Sequence, residues 1–256
     1  MKKVLVLALS LAMVFSLSIM TTACGDEENG TLLAVTEPTF PPFDTTDEDG
    51  NLVGFDMDLM NAIAEDQGFK VEYQALSFDA LIPALEADQA DLITAGMNAE
   101  DPERQEKVDF SNTYYDSGLA VVVKEGNDKI KGFDDLKGGK MKVASQTATT
   151  GAVETLKLKD EGKIAEAVIL DGFDTCIQQV VNEDVDAVII DLPVAQSYMS
   201  KQPGKIKTVG DVLNAESYGF AVQKGNKELL DKINAGLKNM KDNGTYAELY
   251  SKWFEQ

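Results

Sequence analysis

The stretch GMNAEDPERQEKVDF, from Gly96 to Phe110, contains Arg104, the one arginine of the chain. All the other basic residues, 23 in total with Arg104, are lysines. Lysine is a compact solvated charge, whereas arginine presents a planar fork of donors that matches a carboxylate or phosphate. The sequence therefore leaves two readings of Arg104: an anion grip, or an exposed charge at a helix end of little energetic consequence. Other chemistry-bearing residues stand at the ends of apolar runs. Glu37 and Phe40 lie in VTEPTFPPF, Phe78 opens FDALIPAL, Thr149 and Thr150 lie in QTATTG, and Asp191 closes VDAVIID. Together they offer a cation, two acids, hydroxyls and aromatic faces. The chain has no histidine, which removes Ser-His and Cys-His nucleophile pairs and most zinc sites. Asp47, Asp49 and Asn51 faintly resemble a calcium loop, but the glycine at its sixth position and the distal glutamate are missing. A hairpin turn at Asp49-Gly50 is expected instead. No metal and no cofactor are expected.

Forty-four acids against 23 bases give a formal charge of −21, which argues against a nucleic-acid partner. That charge reads first as a solvated surface and second as a preference for cationic ligands. Residues 1–23 read as an export signal: Lys2 and Lys3, an apolar run from Val4 to Met20, then small residues before Cys24. The run is also long enough to serve as an uncleaved anchor. Thr22-Ala23-Cys24-Gly25 is similar to a lipoprotein box, with Thr21 where leucine is usual. Acylation of Cys24 would hold the protein at a membrane, since each buried methylene contributes about 0.8 kcal/mol. Residues 24–30 read as a tether. Cys176 is then the only free thiol, and a small core residue is the expected role for it.

The elements that must position these residues alternate. TLLAVTE reads as a strand, DMDLMNAIAEDQ as a helix stopped at Gly68, FKVEYQAL as a strand, FDALIPALEAD as a helix capped by Ser77, and ADLITAG as a strand. This is an α/β pattern. A repeat organises it: FDALIPALEADQADLITAG (Phe78 to Gly96) aligns without a gap on FDTCIQQVVNEDVDAVIID (Phe173 to Asp191), with Ile82 on Ile177 and Asp91 on Asp186. Each copy is a helix followed by a strand, which points to two duplicated lobes with a cleft between them. Ligands of open α/β sheets sit beyond the carboxyl ends of strands. Four segments should therefore converge on the cleft: 37–43, 96–104, 146–151 and Asp191. The near copies GLAVVVKEGN (Gly118 to Asn127) and YGFAVQKGN (Tyr218 to Asn226) are read as the two crossings between lobes. The expected division is 31–120 for the first part of lobe 1, 121–217 for lobe 2, and 218–256 for the return to lobe 1. That last part ends in helices broken near Asn243-Gly244, with Trp253 and Phe254 as core anchors.

In order, VTEPTFPPF, DGNLVGFDMDL, FDALIPAL, PERQEKVDFSNTYY, DLKGGKMKVASQTATTG, VDAVIIDLPVA, YGFAVQKGN and DNGTYAELYSKWF resemble segments of the polar amino-acid-binding receptors of bacterial ABC importers, the extracellular solute-binding proteins of family 3. The resemblance covers almost all of the chain after the signal. It implies a two-lobe periplasmic-binding-protein-like α/β fold, closure on a free polar or cationic amino acid, and delivery to membrane permease subunits. By the same resemblance the protein would be a lipid-anchored extracytoplasmic monomer, in the periplasm or on the outer face of the cell. Arg104 would take the ligand's α-carboxylate and Asp191 its α-ammonium. Phe40 and Phe78 would stack on the side chain, Thr149 and Thr150 would donate to the carboxylate, and Glu37 would read a polar or cationic side chain. Gly96 and Asn98 would line the first lobe's strand end.

This chain departs from the family pattern at three places. GMNAEDPER is one residue longer than the usual Gly-Met-Thr-Ile-Thr-Pro-Glu-Arg. Asn98 replaces a hydroxyl that helps to bind the ammonium. Ala148 stands where glycine is usual, so a positive φ there would be strained. Because the fold also serves ionotropic glutamate receptors and some periplasmic dehydratases, a dehydratase of the cyclohexadienyl type is the alternative function. That chemistry needs a carboxylic acid held protonated, with Glu37 or Asp191 the candidates. A sensory ligand-binding domain, which is usually followed by a membrane helix, is the third class.

Overall fold

Two aspartates at equivalent places in the repeat tie down equivalent strands. The structure is a computed structural model that describes residues 30–255, so the signal segment and Cys24 lie outside the described residues. From β1 (Thr31–Thr36) the chain runs through a hairpin, β2 (Thr45–Thr46) and β3 (Leu52–Val53), into α1 (Phe55–Gln67). It continues through β4 (Lys70–Ala75), α2 (Phe78–Glu86), β5 (Leu92–Ile93), α3 (Pro102–Lys107) and β6 (Val108–Phe110). Next come β7 (Tyr115–Lys124), β8 (Lys142–Gln146), α4 (Thr150–Asp160), β9 (Glu166–Leu170) and α5 (Phe173–Asn182). The last elements are β10 (Ala187–Asp191), α6 (Leu192–Lys201), β11 (Ile206–Tyr218), β12 (Ala221–Gln223), α7 (Lys227–Asn243) and α8 (Thr245–Phe254). The first sheet has the order β4-β1-β5-β12-β6 and the second β11-β7-β10-β8-β9.

Each sheet is built on the same parallel unit: β1 pairs with β4 and β5, and β8 pairs with β9 and β10. The repeat accounts for the match. Asp91 Oδ2 accepts from the Leu33 N–H at 2.7 Å, and Asp186 Oδ2 accepts from the Lys142 N–H at 2.7 Å. In return the Asp91 and Asp186 N–H groups each donate at 2.9 Å, to the Leu33 and Lys142 carbonyls. One aspartate per lobe thus pins the incoming third strand to the first.

Both faces of these strands are covered, so they read as continuous apolar runs rather than alternating ones. Ala34 and Leu92 pack with Leu59, Ile63 and Phe220 on one face, and Val35 and Ile93 pack with Leu81 and Leu85 on the other. In the second sheet Val122 and Val188 face Phe173, Cys176 and Ile177, while Val121 and Ile189 face Leu136 and Leu158. Cys176 is fully buried, and burial lifts its thiol to about 12, as expected of an inert core residue. The hairpin turn is held by Asp47, whose Oδ1 accepts from the Asp49 and Asn51 N–H groups.

Three local expectations are corrected. Ser77 stands at the N-cap of α2 but makes no side-chain capping bond there. The first crossing lies before Gly118, because β7 pairs with β11 from Tyr115↔Tyr218 onward and belongs wholly to the second sheet. The chain therefore leaves the first sheet between Phe110 and Tyr115, and it returns through Gly219 and Phe220. Trp253 and Phe254 are only partly buried. Trp253 Nε1 donates to Asp58 Oδ2 at 2.7 Å, and Phe254 packs on the rings of Phe43, Phe55 and Tyr115.

Candidate functional site

Arg104 is placed by its own loop. Asp101 caps α3, its Oδ1 accepting from the Glu103 N–H at 2.9 Å and the Arg104 N–H at 3.0 Å, and Pro102 fills the first turn. The lengthened loop thus provides the cap. Arg104 is 9% exposed, so the reading of a surface charge is set aside. Its Nη2 donates to the Ala148 carbonyl at 3.1 Å, from the first sheet's side to the second's, and its Nη1 donates to the Asn98 carbonyl at 3.4 Å. The guanidinium carbon lies 5.4 Å from the centre of the Phe78 ring. Burial lowers the pKa of Arg104, and the charges of Asp101, Glu216 and Asp191 oppose that fall.

Asp191 ends β10 and stands at the N-cap of α6. It is 4% exposed and accepts a short hydrogen bond from the Tyr218 hydroxyl. Burial raises its carboxyl well above the ordinary range, and the neighbouring Glu216 charge raises it further. Glu216 is itself 3% exposed. Gly96, at the equivalent strand end of the first lobe, has φ +49°, and a Cβ there would sit 2.4 Å from the Phe40 ring. Its N–H donates at 2.8 Å to Asp56 Oδ2, which also accepts from the Tyr114 hydroxyl at 2.7 Å. Burial lifts Asp56 to about 7; Asp44, also fully buried and bonded to Thr36, is raised by burial and by the Asp56 charge.

Glu37 follows β1 and is 5% exposed. The Thr39 hydroxyl donates to its Oε2 at 2.9 Å, and the Thr39 N–H donates to its Oε1 at 3.2 Å. Burial nevertheless raises its pKa, helped by the charge of Asp174. Phe40 is buried, with Phe173 and Tyr218 ring centres both 5.9 Å away. The Thr149 hydroxyl is engaged in capping α4: it accepts from the Ala152 N–H at 3.1 Å and donates to the Gln146 carbonyl at 2.7 Å. Thr150 opens α4 and is partly buried. Ala148 does have φ +59°, a conformation costing a non-glycine residue about 1–2 kcal/mol. Asn98 turns its Oδ1 to the N–H groups of Glu100 at 3.1 Å and Ser217 at 3.4 Å. Its side chain thus braces the longer loop.

The four segments therefore meet, and Arg104 faces two acids across them. A profile of the bacterial extracellular solute-binding proteins, family 3, matches residues 32–256. The chain belongs to this family. Among the family 3 proteins it resembles is the putative ABC transporter arginine-binding protein 2 of Escherichia coli (strain K12), 32% identical over 100% of both chains. The arginine-binding extracellular protein ArtP of Bacillus subtilis (strain 168) is 33% identical, over 99% of this chain and 98% of that one. Among solved structures, an ancestral arginine-binding protein bound to arginine superposes with a TM-score of 0.84 at 45% identity, over 89% of this chain and 99% of that one. An ancestral amino-acid-binding protein described as a precursor of cyclohexadienyl dehydratase has a TM-score of 0.80 at 38% identity, over 88% and 96%. The fold of this family 3 protein is thus the two-lobe α/β fold expected.

The sequence reading did not single out Glu216, Tyr218 or Thr39. Thr39 lies inside the quoted first loop; its Oγ1 accepts from the Phe173 N–H at 3.0 Å and its carbonyl accepts from the Tyr198 hydroxyl at 2.9 Å. Glu216 and Tyr218 are brought to Asp191 by the β7–β11 ladder, a pairing that no local spacing reveals.

Proposed function

We propose that this protein is the extracytoplasmic amino-acid-binding component of an ABC importer, and that its ligand is a cationic amino acid, with L-arginine the first candidate. One observation carries the reading: a buried guanidinium, Arg104, faces buried carboxyls, Asp191 and Glu216, where the two lobes meet. A free amino acid is a zwitterion, and a cation opposed to acids is the complement of its two charged ends. In this reading Arg104 and the N-terminus of α4 at Thr149 and Thr150 hold the α-carboxylate, since helix N–H groups favour anions. Asp191 takes the ammonium, Phe40 and Phe78 flank the side chain, and Gly96 and Asn98 shape the loop. Glu37, buried and with its pKa raised by that burial, would gain a cationic partner; arginine-binding relatives support that choice.

The division into two lobes (31–110 with 221–256, and 115–218), the cleaved signal, the acylated Cys24, the permease partners and the monomeric state belong to the same proposal. Among the described residues no helix is long and apolar enough to cross a membrane.

A thermal-shift screen of amino acids tests the reading. L-Arginine at 100-fold its Kd should stabilise the protein by about 2.7 kcal/mol. Glu37→Gln should weaken L-arginine far more than L-glutamine; equal loss would remove Glu37 from side-chain recognition. The dehydratase alternative has one observation in its favour, a buried carboxyl at Asp191 that burial raises well above the ordinary range. Turnover of prephenate or arogenate would establish it, and binding without turnover would exclude it.

A further inference from the structure

The ladder register places the two acids together. Asp191 lies opposite Leu119 on β7, and Glu216 lies opposite Ser117 on the same strand. Paired residues share a face, as do residues two apart, so Asp191 and Glu216 emerge on one side of the sheet across a single strand. Tyr218, on that side as well, donates to Asp191 and also bonds to Ser117 Oγ at 2.9 Å. Both side chains are buried, Asp191 4% and Glu216 3% exposed, and the Glu216 charge raises the Asp191 carboxyl further. Two acids placed together out of water disfavour ionising at once. Arg104, from α3, interacts with the charges of both acids.

We propose that Glu216 is a further recognition residue of the cleft: with Asp191 it forms a buried carboxyl pair that holds one proton and exchanges it for the ammonium group of an entering amino acid. This rests on the amino-acid-binding function proposed above. Charge balances in the exchange. Holding the proton, the pair carries one negative charge; when the proton leaves to the buffer the pair carries two, and the ammonium brings one positive charge to the same place. Like charges this buried resist ionising together, and the Asp191 carboxyl stays raised even with Arg104 nearby; an ammonium group placed against the pair removes that penalty. The burial of both groups supports the same view. The pair therefore favours an ammonium over a neutral occupant, which displaces no proton and brings no cation to it.

The exchange makes binding release a proton, so affinity rises with pH while the free pair holds it. The experiment is calorimetric titration of the whole protein with L-arginine and with L-glutamine, in phosphate and in Tris, from pH 5.5 to 7.5. L-Glutamine brings no cationic side chain to Glu37, so its proton reports on the pair. Wild type should release about one proton per L-glutamine, and its affinity should rise up to about tenfold per pH unit. Glu216→Gln, which keeps size and hydrogen bonding, should abolish that release and flatten the pH dependence. Saturation without proton release in wild type overturns the pair, as does undiminished release from Glu216→Gln, and either leaves the amino-acid-binding function standing. A protein that no proteinogenic amino acid saturates overturns that function and the exchange together.

Discussion

Replacing Arg104 separates its two roles. In the structure its guanidinium spends one bond on Ala148 and a longer one on Asn98. The remaining donors of the fork are those a carboxylate would take side by side. Arg104→Ala would leave a buried carboxylate of the ligand partly unpaired, at a cost of about 2–5 kcal/mol, or about 30-fold to several thousand-fold in Kd. Folding stability should fall too, because the variant leaves the Ala148 carbonyl without this donor; about 1–3 kcal/mol is expected. Arg104→Lys should restore part of the stability, since an ammonium can still reach one carbonyl, but little of the affinity, since it lacks the planar fork. The assay is a double-mutant cycle by calorimetry: wild type and Arg104→Ala, each with L-arginine and with its α-carboxamide. The amide should bind wild type weakly and lose little more on Arg104→Ala. A lysine variant that binds L-arginine as tightly as wild type would refute the grip, and independent losses in the cycle would move the carboxylate elsewhere.

Ala148→Gly should relieve the positive φ and change stability by about 1 kcal/mol in the favourable direction, less the entropy glycine adds to the unfolded chain; denaturant titration with an unchanged slope checks it. Tyr198→Phe removes the bond from lobe 2 to the Thr39 carbonyl, so solution scattering of the ligand-saturated variant should show a larger radius of gyration than wild type. Equal radii would show that the bond does not hold the lobes together. Asp56, lifted by burial to about 7 from an ordinary 3.8, keeps in the folded state a proton that the unfolded chain loses between those values. Stability should therefore fall as pH rises from about 4 to about 7, with Asp44 adding to the trend, and Asp56→Asn should flatten the fall in thermal unfolding. An identical slope in the variant would assign the dependence to other groups.

Much of this was legible because it is local. The alternation of strands and helices follows from period and punctuation, and the stop of α1 at Gly68 from the glycine whose αL conformation ends it. Ala148 was flagged by its departure from the family's usual glycine, and its φ agrees. What stayed hidden depends on long-range pairing. Glu216 is 25 residues from Asp191 in the chain and reaches it only through β7, and the bulges between Val209 and Ala215 set which of its residues face inward. Ser77 shows the converse: a favourable residue at a helix start does not oblige its hydroxyl to cap.

The duplicated lobes show why repetition located the cleft without describing its chemistry. Asp91 and Asp186 do the same work in each copy, because anchoring a third strand is a problem both sheets share. Five residues further on, Gly96 and Asp191 occupy the same strand end, and there the copies differ. Gly96 presents backbone, its N–H held by the buried Asp56 and its missing Cβ leaving space for Phe40. Asp191 presents a carboxyl, held by Tyr218 and raised by the Glu216 charge, both from a strand for which the first lobe's sheet has no long counterpart. A symmetric pair of strand ends would offer a ligand the same group twice. An amino acid has one end of each sign, so a duplicated scaffold can recognise it only where the copies have diverged, and the residues just past the last shared aspartate are where divergence leaves both sheets intact.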